Sequence, residues 1–190
     1  MAHFSEVTDT IQLETILTDL YSNSKSNIKY NIHVVALDQL INVPLSLNLL
    51  VIVNYQTLKS GSMGTHWIGL INSQKLNDIC IYDAYGIPDP PKQVLLFAKK
   101  LKDKYKKGLV ANTTQAQPLT GLGSSSCGWF VLYFFHRVIN YNESLNIVVN
   151  NIKTKDVIKY AKLLTRRYLS FNITKRNIKG YTKKRNSVWL

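Results

Sequence analysis

His66, Asp83 and Cys127 carry the side chains that acyl transfer through a thiol requires, although they are spread over half the chain. Cys127-Gly128 heads the apolar run Trp129–Phe135. A thiol in the first turn of a helix feels the positive end of the helix dipole and unsatisfied backbone N–H groups, both of which favour the thiolate. An imidazole is the natural proton partner of a thiolate, and a carboxylate fixes the imidazole's tautomer and orientation. The order His, Asp, Cys differs from the papain order, in which the cysteine comes first. Gly128 and the Gly/Ser-rich stretch before the thiol leave the helix mouth open to an approaching substrate backbone, so Gly128 is a candidate substrate contact. The set points to a cysteine peptidase.

The other residues of these types have plainer contexts. Cys80 stands mid-strand in Ile79-Cys-Ile-Tyr82 and reads as core. His3 lies near the terminus, and His33 has no companion. His136 follows Cys127 by nine residues on the same helix, roughly 13 Å away and half a turn round, so it cannot serve as the base. Asp83 ends the strand after the one that His66 opens. Adjacent antiparallel strands lie about 4.8 Å apart, within reach of a carboxylate for a ring nitrogen.

Elements that could position these groups follow from periodicity. Glu6–Leu20 has apolar residues at helical spacing. Asn48–Tyr55, His66–Ile71 and Asp78–Tyr85 read as three strands of an antiparallel meander, with the glycine-containing turn Leu58–Thr65 and the polar turn Asn72–Asn77 between them. Pro88–Pro91 ends the sheet and starts a helix that turns Val94, Leu95, Phe97, Ala98 and Leu101 inward. Leu109–Ala111 is a further short strand, and Gln115–Ser126 is a loop. Ser126 is placed to cap the helix Cys127–Asn140. A last helix begins at Thr154-Lys-Asp, with Val157, Ile158, Ala161, Leu164 and Leu169 on one face. Neither a repeat nor an interdomain linker is visible, so residues 1–190 are expected to form one α+β domain with a basic tail over 172–190.

Composition bounds the classes. At 190 residues and 45% hydrophobic, the chain can bury a core without disulfides, and its two cysteines imply no disulfide framework. A reducing, intracellular setting is expected, with no signal peptide, no membrane span and no metal or organic cofactor. Charge is strongly segregated: residues 1–90 carry a net −4, residues 91–190 a net +17. A polyanionic partner, nucleic acid above all, fits this asymmetry. The candidate contacts are Lys99, Lys100, Lys106, Lys107, Arg166, Arg167, Lys183, Lys184 and Arg185, with a solvated basic face as the plain alternative.

Three segments together, Thr65-His66-Trp67-Ile-Gly, Tyr82-Asp83-Ala-Tyr-Gly86 and Ser124-Ser-Ser-Cys127-Gly-Trp-Phe, resemble the adenovirus-type (adenain-like) endopeptidases and, more distantly, the SUMO/ubiquitin-like proteases. The resemblance covers roughly residues 48–140. It implies a papain-like/adenain-like domain, with a mostly antiparallel central sheet flanked by helices and the nucleophile at a helix N-terminus. It also implies Trp67 as a clamp on the substrate backbone and a glutamine amide in the oxyanion hole. That family's glutamine sits six or seven residues before the cysteine, where this chain has Gly121 and Thr120. The candidates are Gln117 and Gln115, and Gln117-Pro-Leu-Thr-Gly is the better match.

By the same resemblance the expected role is processing of viral capsid and precursor proteins during virion maturation, after small residues such as Gly. The enzyme would act as a monomer inside the host cell and in the virion. DNA or a basic activating peptide would be an activator, and Gly180–Leu190, basic and ending in Val-Trp-Leu, could play that part in cis. Competing readings are a ubiquitin-like-modifier protease, an effector-type acetyltransferase, and a non-catalytic basic nucleic-acid-binding protein.

Overall fold

The computed structural model describes residues 8–22, 28–55, 66–86, 88–119, 121, 123 and 125–167. The basic tail, with Lys183, Lys184 and Arg185, lies outside them, as do Thr65 and Ser124. Helix α1 (Thr10–Leu17) opens with a capping box: Gln12 N donates to Asp9 Oδ1 at 2.7 Å, and Asp9 N donates to Gln12 Oε1 at 3.3 Å. Of the stripe expected there, Leu13, Ile16 and Leu17 are buried, whereas Ile11 faces solvent; the helix passes into a π-type turn at Thr18–Ser22. Then follow β1 (Asn31–Ala36), a 3-10 helix (Leu37–Asn42), β2 (Leu49–Asn54), β3 (Trp67–Asn72), β4 (Asp78–Asp83), α2 (Lys92–Tyr105) and β5 (Gly108–Ala111). Three further helices complete the described chain: α3 (Cys127–Tyr141), α4 (Leu145–Asn151) and α5 (154–167).

The five strands form one sheet in the order β1-β2-β3-β4-β5. The meander β2–β3–β4 is antiparallel as expected, but β1 pairs with β2 and β4 with β5 in parallel. The sheet is therefore mixed rather than mostly antiparallel. The cause lies in the connections. Between β3 and β4 the chain has only Ser73–Asn77, enough to fold a strand back antiparallel, while the 3-10 helix after β1 and α2 after β4 lie in the longer connections that parallel pairs need.

Side chains alternate between two cores, as the two-residue period of a strand requires. Leu50, Ile52, Ile71, Cys80 and Tyr82 meet α1, α3, α4 and α5 through Leu13, Phe130, Phe134, Val148 and Ala161. On the other face Val51, Val53, Leu70, Ile79 and Ile81 meet the 3-10 helix and α2 through Leu40, Val94, Phe97 and Leu101. Both faces being covered explains why β2 reads as an unbroken apolar run. The β4 end carrying Asp83, the chain entering β3 at His66 and the start of α3 meet at one end of this sheet.

Candidate active site

The register sets the site. Ile68 on β3 faces Asp83 on β4, so His66 falls opposite the turn that follows β4. His66 Nε2 and Asp83 Oδ1 are 2.8 Å apart, and the two residues are only 7% and 3% exposed. With Nε2 committed to the carboxylate, Nδ1 is the nitrogen left for the thiol. Cys127, the first residue of α3, acts on the ring as hydrogen-bond and charge partner. Nδ1 has no bond of regular geometry among the described residues, a loose contact of the kind that tightens when substrate binds.

Burial alone would pull the imidazole's pKa down. The hydrogen bonds from Asp83 and Cys127 and the charges of both outweigh it, and the pKa is raised from 6.5 to about 9. A pKa raised on folding means stabilisation that is complete below pH 6.5 and is lost as pH climbs through about 9. The imidazolium therefore persists across neutral pH. The descending limb of a kcat/KM profile should centre near pH 9, and a limb centred near 6.5 would contradict this electrostatic picture.

Two tyrosine rings pack against the imidazole. Tyr85 stacks on it at 4.6 Å between centroids and 25° between planes, and Tyr55 lies at 5.1 Å and 33°. Tyr55 Oη also donates to Asp83 Oδ2 at 3.4 Å. Its own pKa is pushed up to about 12 by burial and then by the Asp83 charge, so the phenol stays a donor.

The acid is anchored through its backbone. Asp83 N donates to Asn112 Oδ1 (2.7 Å), while Asn112 Nδ2 donates to Asp83 O (2.6 Å) and Thr114 O (3.1 Å). Past the end of β5, the Asn112 carboxamide thus takes the place of a further ladder residue. Tyr85 N donates to Asp83 Oδ1 at 2.8 Å and so orients the carboxylate that meets His66.

Gln117 and Gln115 separate clearly. Ala116 N and Gln117 N both donate to Ala84 O at 2.9 Å, which draws the loop onto the turn after β4. Gly86 permits this approach. Its φ is +66°, and a Cβ there would stand 2.5 Å from the Thr114 carbonyl carbon. Gln117 is 1% exposed with Nε2 3.4 Å from Tyr85 Oη, whereas Gln115 is exposed and braces the loop by donating from Nε2 to Gln117 O at 2.7 Å.

Other expected residues have different surroundings. Ser126 occupies the N-cap position, but its side chain makes no capping bond to α3. Gly128 does not open toward a cleft on its Cα–H side: a Cβ there would clash with Thr8 Oγ1 (2.0 Å) and approach Leu13 Cδ2 (3.2 Å). Its missing side chain seats the start of α1 against α3. Trp67 is 6% exposed within the core on the α3 side, leaving little indole for a clamp. Cys80 is buried, and burial raises its thiol to about 12. His136 packs on Tyr160 and meets Asn140 through Nδ1 at 2.7 Å.

Of the cationic candidates, Lys107 is used internally. Its Nζ donates to the carbonyls of Ser73 and Leu76 in the β3–β4 turn. Arg167 pairs with Asp19 at 3.3 Å. Lys99, Lys100 and Lys106 on or beside α2, and Arg166 on α5, are exposed. These two helices pack on opposite faces of the sheet, so their cations do not form one surface.

No protein-family profile and no curated sequence matches the chain. Among solved structures, the crystal structure of the ASFV pS273R protease superposes with a TM-score of 0.59 at 12% identity, over 85% of this chain and 67% of that one. The fold of this chain is the fold of that protease. A selenomethionine form of the same protease aligns over 63% of this chain and 43% of its own length, with a TM-score of 0.46 at 19% identity. The Chlamydia trachomatis effector protein Cdu1, solved bound to ubiquitin, gives 0.48 at 16% identity, over 83% and 76%. At the 12% identity of the first of these, what is shared is the fold. The likeness reaches a viral protease without singling out the adenovirus branch.

Proposed function

We propose that this chain is a cysteine endopeptidase that processes viral capsid or precursor proteins during virion maturation, cleaving after small residues. The observation that carries the reading is the buried 2.8 Å His66–Asp83 contact whose imidazole also meets Cys127 at the head of α3. Cys127 Sγ attacks the scissile carbonyl carbon, and its former proton, held on His66, passes to the leaving amine as the C–N bond breaks. His66 then takes a proton from water, which attacks the thioester and releases the acid. Asp83 keeps Nε2 occupied, so the catalytic proton travels through Nδ1. The Gln117 carboxamide and the Cys127 N–H, in the first turn of α3 where backbone N–H groups have no partner within the helix, stabilise the tetrahedral oxyanion. Viral substrates are favoured by the viral protease that shares the fold and by the motif resemblance. N-terminal sequencing of products from peptides containing Gly-Gly-Xaa sites should show new termini after glycine. Cleavage confined to bulky residues before the scissile bond would contradict the substrate class.

We propose non-specific DNA as the polyanionic partner, met chiefly by α5. Lys155, Lys159 and Arg166 are exposed there at helical spacing, which sets their charges along one side. Affinity should fall steeply with salt, by a log–log slope of about −0.9 per phosphate neutralised. Replacing the three by glutamate should flatten that slope. A wild-type titration already flat between low and moderate salt would remove DNA from the account.

A further inference from the structure

The four-residue turn Asp83–Gly86, closed by Gly86 N to Asp83 O at 3.0 Å, lies among the groups that the proposed reaction uses. Within it Tyr85 meets three of them by three different parts of one residue. Its ring lies on the His66 imidazole at 4.6 Å. Its main-chain N–H donates to the Asp83 carboxylate. Its hydroxyl accepts from Gln117 Nε2 at 3.4 Å and feels the charge of Cys127.

A phenylalanine would supply the stack and the N–H equally well, so the informative atom is the hydroxyl. Gln117 hangs on three rotatable bonds, and an amide that must meet a short-lived oxyanion needs a fixed direction before charge develops. The carboxamide nitrogen carries two hydrogens, so one bond to Tyr85 does not exhaust it.

Resting on the peptidase reading, we infer that Tyr85 is a positioning residue whose hydroxyl aims the Gln117 carboxamide at the oxyanion site while its ring holds the general base. The turn after β4 thereby ties the geometry of the oxyanion hole to that of the His66–Asp83 pair. Gln117 must act through Tyr85, so the two should behave as one unit toward the transition state and not toward the resting thiol.

The test is a cycle on the full chain: wild type, Tyr85→Phe, Gln117→Ala and the double variant, with Gln117→Leu replacing the alanine change should that variant not fold. Two rates are read, cleavage of a peptidyl-Gly-Gly-aminomethylcoumarin and alkylation of Cys127 by iodoacetamide. Alkylation needs the thiol and His66 but forms no oxyanion. Tyr85→Phe should lower kcat about tenfold, less than the 10²–10³ of losing a donor outright, with KM and alkylation rate unchanged. In the Gln117 background the same change should have no further effect. Wild-type kcat in Tyr85→Phe, independent multiplying losses, or alkylation falling in step with kcat would each overturn the inference. Wild-type protein lacking both cleavage and His66-dependent alkylation would instead overturn the peptidase reading, and the inference with it.

Discussion

Cys127→Ala is expected to abolish peptide cleavage, a loss on the order of 10⁵–10⁶ in kcat, while the thermal unfolding curve stays where it was. His66→Ala should lose about as much, and the double variant no more than either alone. The reason is that both residues serve the same bond-making step, so once one is gone the other has nothing left to contribute. Asp83→Asn should retain part of the activity: the imidazole remains flanked by Tyr55 and Tyr85, but the charge that helps raise its pKa is gone. Cleavage that survives in Cys127→Ala, measured on protein freed of host proteases, would end the assignment of the nucleophile.

Gln117→Ala should cost about 10²–10³ in kcat with little change in KM, the usual consequence of deleting one oxyanion donor. Gln115→Ala should act differently. Its side chain is exposed and bonds only to the Gln117 carbonyl among the described contacts, so its loss loosens the loop without removing a donor. If Gln115→Ala proved the more damaging, the oxyanion role would pass from Gln117 to Gln115. Steady-state kinetics of the two variants side by side decide between them.

Much of this architecture is legible in local sequence. The meander β2–β4 shows as three apolar runs with turn residues between them, and the seventeen-residue interval from His66 to Asp83 spans neighbouring strands that meet as expected. The head of α3 is equally plain, because the apolar run after Cys127 is long and unbroken. Strand β1 is hidden: Asn31-Ile-His-Val-Val-Ala is an edge strand whose pattern never alternates cleanly, and its parallel pairing depends on a crossover that no short-range signal announces. Helix α4, the seven residues Leu145–Asn151, is too short to show a period.

The site's support is hidden for a related reason. Asn112 reaches Asp83 across twenty-nine positions, and Tyr55 does so across twenty-eight. Asparagine and tyrosine are common enough that nothing marks those two beforehand. Gly128 shows the opposite failure. Its position beside the nucleophile invited a substrate role, whereas the side-chain space it leaves is filled by Thr8 and Leu13 from the far end of the chain.

The central claim is that Cys127 is a nucleophile activated by His66. Intact-mass spectrometry after brief exposure of the full chain to a glycine-ending peptide electrophile, such as a peptidyl vinyl sulfone, measures it directly. The account predicts one adduct per chain, located at Cys127, absent from Cys127→Ala and strongly slowed in His66→Ala, with Cys80 unlabelled because burial holds its thiol at about 12. Labelling that proceeds equally in His66→Ala, or that falls on Cys80, would contradict it.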